Sequence, residues 1–349
     1  MSDTSARTGV LLVNLGTPAS PSRGDVRSFL REFLGDPRVL DMPALARHLL
    51  LELTILPFRP RTAAAAYAKI WSDAGSPLAV HGRALTASLG KALGHDFRVE
   101  LGMRYGNPAI DAALARLSAA EVERVVAVPL FPQYSSAAWG SAAESVYRGA
   151  SAHWDVAPLS VVPPFYAHPG YVRALGAVSR SPLAEFGPDH VLMSYHGLPE
   201  RQLSGPESRL QCPGSTGCCD AIGAGNTRCY RAHCFATSRA LAGELGLGPG
   251  DYSVAFQSRM GRIPWIRPFT DQRLIELADS GVRRLAVTCP SFVADCLETV
   301  EEIGIRGREQ WRKLGGDDLL LVPCLNSHPD WVDALANLVR EFSAPPAPT

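Results

Sequence analysis

Three groups of residues in this sequence have types and spacings suited to chemistry. His196 stands in SYHGLP (194–199), ahead of a Gly and a Pro that turn the chain sharply. Neutral imidazole is the side chain best matched to taking a proton near pH 7, although a core histidine bonded to a neighbouring carbonyl looks the same in sequence. Asp295, Glu298 and Glu302, in DCLETVEE, recur at i, i+3 and i+7, one stripe of a helix. Acids in a first turn also answer the helix dipole; converging on a histidine, they suit proton removal or a hard divalent cation. The third group is CPGSTGCCDAIGAGNTRCYRAHC. It puts five of the eight cysteines, Cys212, Cys218, Cys219, Cys229 and Cys234, into 23 residues. Its spacing, C-x5-CC-x9-C-x4-C, lacks the C-x2-C pairs of structural zinc sites. Four thiolates suffice for a [2Fe–2S] cluster, with zinc or a redox-labile disulfide as the alternatives.

The elements that must position these groups read as parallel strands. Short apolar runs at 10–16, 97–103, 124–131 and 158–164, then at 190–197, 252–258, 283–289 and 319–325, each precede a helical pattern. Such alternation is that of buried parallel strands in βαβ units. The two sets also match each other: VNLGTP (13–18) parallels SYHGLP, and VPPFYAHPGYV (162–172) parallels VPCLNSHPDWV (322–332). The expected fold is α/β, with two similar Rossmann-like domains, each a four-stranded parallel sheet flanked by helices, and the active-site cleft between them. The expected limits are 1–175 for the first domain, with an apolar segment at about 40–70. The second takes 176–342 with a Cys-rich insertion at about 205–234, and 343–349 forms a disordered tail. Ligands of such sheets sit beyond the C-terminal strand ends, where His196 and the acidic helix both fall. GxxxxGK[ST] and GxGxxG are absent, so nucleotide binding has no positive support.

Bulk composition narrows the classes. The 46% apolar and 19% charged fractions are those of a globular chain. Lys plus Arg and Asp plus Glu both number 34, so no overall field marks a nucleic-acid binder. The polar MSDTSARTG start has no leader pattern, and HLLLELTILPF (48–58) is far short of the ~20 residues of a spanning helix. Cytoplasmic location is the expectation, possible contact with the inner membrane face included, and there a dense cysteine cluster more often binds metal than forms disulfides.

Taken together, the motifs resemble ferrochelatases, which insert ferrous iron into a porphyrin. The likeness runs through LLVNLGTP, LLLELTILPFRP, AKIWSDAGSPL, GMRYGNP, PLFPQYSSAAWGSA, SYHGLP, FQSRMGRIPWIRP and CPSFVADCLETVEEI. It implies a lyase that forms protohaem from protoporphyrin IX and ferrous iron with release of two protons. His196 would accept protons or bind the metal, with Glu298 beside it; Asp295 and Glu302 would line a proton or iron path. Leu15, Tyr105, Trp265 and Phe292 would bracket the ring, and Arg104 would hold a propionate. The 40–70 segment, with Arg47, Arg59 and Arg61, would be a lip able to touch an anionic membrane, favouring protoporphyrin over coproporphyrin. Where many relatives have a histidine in the acidic motif, this chain has Cys296, which shifts a metal path toward the carboxylates. Some relatives carry a [2Fe–2S] cluster; here the ligands would be Cys212, Cys229 and Cys234 with Cys218 or Cys219. Cys289, Cys296 and Cys324 would belong to pocket or core. The rivals are a different tetrapyrrole chelatase and a non-catalytic haem-binding or iron–sulfur sensor.

Overall fold

In the computed structural model, residues 8–204, 217–261 and 263–343 are described; Cys212 and the tail from residue 344 lie outside them. Among the described residues, eight strands form two sheets. β1 (Thr8–Thr17), β2 (Phe97–Gly106), β3 (Arg124–Pro129) and β4 (Leu159–Val161) make the first, in the order β2-β1-β3-β4. β5 (His190–His196), β6 (Tyr252–Gln257), β7 (Arg284–Thr288) and β8 (Asp318–Leu321) make the second, in the order β6-β5-β7-β8. Every pairing is parallel. The central strands β1 and β5 are buried almost throughout, as covering both faces with helices requires.

The repeat seen in the sequence is a structural repeat. Beyond β2, Met103 N donates to Pro108 O; beyond β6, Phe256 N donates to Pro268 O. Leaving the third strand of each set, the chain enters a π-helical stretch, Ser136–Gly140 in one case and Leu297–Gly307 in the other. Each set has its own core. Leu11, Val13, Ile110, Leu114, Leu117 and Val146 pack together in the first. In the second, Leu192, Leu274, Leu285, Val287, Trp311 and Leu319 do so.

By their contacts the residues fall into two units. One comprises the chain up to Phe131, Ser136–Pro164 and the chain from Val332 on; the other comprises Pro132–Ser135 and Phe165–Trp331. The helix Pro329–Ser343 therefore gives most of its length to the first unit, where Arg124 Nη1 donates to Ser343 O at 2.9 Å and Arg340 Nη2 to Ala92 O at 2.9 Å.

Candidate active site

In the second unit the sheet delivers His196 at the last position of β5, half-buried. Its Nδ1 lies 2.6 Å from Gly197 O. A carbonyl only accepts, so Nδ1 carries the hydrogen and the neutral ring keeps its lone pair on Nε2. The turn after His196 needs glycine: a Cβ on Gly197 would stand 2.8 Å from Gln257 O and 3.2 Å from the Trp265 ring. Trp265 is itself buried, its Nε1 donating to Met260 O at 2.8 Å. It forms the wall behind the histidine turn. Phe292, half-buried, has its ring centroid 6.3 Å from that of His196.

The acids lie on Leu297–Gly307, which is π-helical rather than α-helical. A turn closed i→i+5 holds more residues than an α-turn, so Glu298 and Glu302 lie close to one line. Asp295 leaves the stripe, because the helix starts only after Cys296. Its carboxylate is occupied: Asn326 Nδ2 donates to Oδ2 at 2.8 Å and Thr299 Oγ1 to Oδ1 at 3.2 Å. Asp295 thus fastens the helix start. Cys296 caps the helix, its main-chain N donating to Thr299 Oγ1 at 3.0 Å while its thiol accepts from the Thr299 N–H.

Glu302 is gripped by one residue of the loop after β6: Ser258 N at 2.9 Å and Ser258 Oγ at 2.5 Å both donate to it. Ser258 holds a positive φ of 65°, a conformation costly for a side chain and concentrated at functional sites. Burial pushes the Glu302 carboxyl up; the Ser258 bond and the neighbouring His196 oppose this, and the charge of Glu298 adds to it. Glu302 therefore lies in the fields of both His196 and Glu298. Gln257 braces the group, its Nε2 donating to Glu298 O at 2.6 Å and its Oε1 accepting from Ser194 Oγ at 2.6 Å. Gln257 and Ser258 escaped sequence reasoning, although FQS at a strand end was the available signal.

The residues read for the ring in the first unit differ in setting. Leu15 is half-buried near the end of β1. Tyr105 is 1% exposed, its hydroxyl donating to Asp36 Oδ2 at 2.8 Å, and burial pushes that hydroxyl's pKa well up. Arg104 Nη2 donates to the same Asp36 oxygen at 2.6 Å and its Nε to Ser141 Oγ at 2.7 Å. Arg104 thus already has a carboxylate partner within the protein. The lip segment runs through Ala44–Leu50, Leu51–Ile55 and Leu56–Ile70, the middle piece π-helical. It presents Leu45, Leu49, Leu53 and Phe58, 47–73% exposed, to solvent.

Of the cysteines, Cys219, Cys229 and Cys234 are buried and Cys218 half-buried. Burial pushes the Cys234 thiol up, and the nearby Cys229 and Cys219 add to it, so these three are neighbours. Arg231 Nη1 donates to Cys219 Sγ at 3.1 Å, a cation placed to support a thiolate. The donor chemistry fits an iron–sulfur cluster in part, since the fourth candidate, Cys212, lies outside the described residues. Among the described residues no three His, Cys, Asp or Glu side chains close on a point as a complete metal site. Cys289, Cys296 and Cys324 are buried, beneath the acidic helix start.

Comparison with known proteins gives the family. The family model of ferrochelatase matches residues 7–343. The chain is 48% identical to a ferrochelatase of Coxiella burnetii over 333 residues, covering 95% of this chain and 93% of that one. It is 45% identical to a ferrochelatase of Legionella pneumophila over 335 residues, 96% and 99% of the respective chains. Among solved structures, SirB from Bacillus subtilis with Fe3+ shares the fold, with a TM-score of 0.54 at 13% identity over 97% of this chain and 96% of that one. A family model matched over nearly the whole length and relatives at 45% and 48% identity lead to one conclusion: the chain belongs to the ferrochelatase family.

Proposed function

We propose that this ferrochelatase inserts ferrous iron into protoporphyrin IX, and that His196 is the group that takes the pyrrole protons. The observation that carries the reading is the 2.6 Å approach of His196 Nδ1 to Gly197 O. With Nδ1–H committed to Gly197 O, the ring offers Nε2 as a base without first having to rearrange. Glu302, its carboxyl pushed up by burial and by the charge of Glu298, is placed to receive a proton from that base. Glu298, one turn earlier, supplies the charge that an arriving divalent cation seeks. Phe292, its ring 6.3 Å from that of His196, offers apolar contact to the macrocycle. The exposed leucines and Phe58 of the lip favour the less carboxylated ring and contact with an anionic membrane surface. On this reading a [2Fe–2S] cluster is held by Cys219, Cys229 and Cys234, with Cys212 as the fourth ligand. The burial of Cys219 beside Arg231 favours it over Cys218.

The test is anaerobic insertion followed by loss of porphyrin fluorescence. His196→Ala is expected to lower turnover by at least about 100-fold while melting temperature and circular dichroism stay near wild type. Near-normal insertion by His196→Ala refutes the assignment. Offering coproporphyrin beside protoporphyrin tests the ring preference, and an anaerobic visible spectrum bleached by dithionite tests the cluster.

A further inference from the structure

The backbone at His196 is held in an unusual way. In a central strand, ladder bonds to both neighbours fix the main chain. Here β7 pairs with β5 only from His190↔Leu285 to Met193↔Thr288, so on that side His196 has no strand to bond. Two side chains take the ladder's place. His196 N donates to Ser291 Oγ at 3.1 Å, and the Tyr230 hydroxyl donates to His196 O at 2.7 Å. On the other side Gly197 N donates to Gln257 O at 2.8 Å. The peptide joining His196 to Gly197 is therefore gripped at both its C=O and its N–H. That peptide sets where the Gly197 carbonyl, the acceptor of Nδ1–H, can lie.

Tyr230 is itself firmly placed, and by the cysteine-bearing segment. It is 6% exposed and opens the helix Tyr230–Leu245, whose N-cap is Cys229 and which buries Cys234 one turn on. His233 locks the same turn. Its Nε2–H donates to Thr227 O at 2.9 Å, its Nδ1 accepts from Tyr134 N at 3.1 Å, and its ring stacks on Tyr166 at 3.7 Å.

We propose that Tyr230 is a positioning residue for His196: its hydroxyl fixes the 196–197 peptide so that Nδ1 keeps its hydrogen on the Gly197 carbonyl and Nε2 stays bare. The proposal rests on the reading of His196 given above. It also ties the cysteine segment to the reaction through one hydroxyl rather than through general stability.

Tyr230→Phe keeps the ring and removes only the O–H. With histidine-specific 15N labelling, the wild type is expected to show one protonated Nδ1 and one bare Nε2 at His196. The variant is expected to show the two tautomers mixed. Turnover should fall about tenfold, with the porphyrin KM within about twofold and the melting temperature near wild type. In a His196→Ala background Tyr230→Phe should cost nothing further. Wild-type nitrogen shifts and turnover in Tyr230→Phe overturn the proposal, as does an equal loss in both backgrounds. If His196→Ala turns over normally, the reading beneath falls, and the nitrogen shifts alone then decide whether Tyr230 sets the tautomer. Ser291→Ala, which removes the companion bond, is expected to mix the tautomers in the same way and serves if Tyr230→Phe fails to fold.

Discussion

Asp36 receives four donors: Arg38 N at 2.7 Å, and on its other oxygen Arg104 Nη2 at 2.6 Å, Tyr105 O–H at 2.8 Å and Ser141 Oγ at 2.6 Å. Burial works to raise the carboxyl, but the bonds from Ser141, Arg38 and Tyr105 and the Arg104 charge outweigh it, and the pKa is lowered. A carboxyl depressed by folding lends stability above its unfolded value, and that stability is lost as pH falls through the folded value. Asp36→Asn should therefore cost about 3 kcal/mol near pH 7, with the deficit shrinking below about pH 4 as the wild type protonates. Melting curves of both proteins from pH 3.5 to 8 check this; a deficit that does not vary with pH rules the account out. Asp36 also shows where sequence reading stops at this scale. Arg104 was legible as a carboxylate binder, but its partner lies 68 positions away, and only the fold joins them. His196, Glu298 and Glu302 were legible as candidates because strand ends and helix starts concentrate function, and spacing exposes both.

At the scale of elements, the strands were the easy part, since two-sided burial writes continuous apolar runs. The acidic helix was harder. Its i, i+3, i+7 pattern is α-helical on paper, whereas the π-turns and the Cys296–Thr299 cap separate Asp295 from Glu298 and Glu302. Nothing in local propensity announces a π-turn. The lip is an element whose apolar face points outward while Glu52, its one acid within Leu51–Ile55, is taken by Arg31 at 2.7 Å. Glu52 is thereby withdrawn from the face that carries Leu53 and Phe58. Because those two are 69% and 73% exposed, Leu53→Ser with Phe58→Ser should move stability by no more than about 0.5 kcal/mol per site. The same pair should weaken co-sedimentation with anionic vesicles and raise the porphyrin KM. Unchanged vesicle binding and KM would remove the lip from both roles.

At the scale of the whole molecule, the repeat places Leu15 where its sister half has His196, and Gly16 where the sister has Gly197. Both glycines sit against a carbonyl of the neighbouring strand. A Cβ on Gly16, whose φ is +114°, would stand 1.8 Å from Tyr105 O. Gly16→Ala should therefore destabilise more than Gly197→Ala, whose nearest contact is 2.8 Å, by about 1–3 kcal/mol for the backbone conformation alone; chemical denaturation of the two variants gives the order. The helix Pro329–Ser343 has a consequence of another kind. Val332, Leu335, Leu338 and Val339 are buried, and the unit they complete is the one that begins with β1. As the ribosome makes the chain, the first half emerges early but waits for some of its interior residues until the whole second half has been synthesised. A released chain truncated before Val332 should leave that half open to protease while the second half resists it.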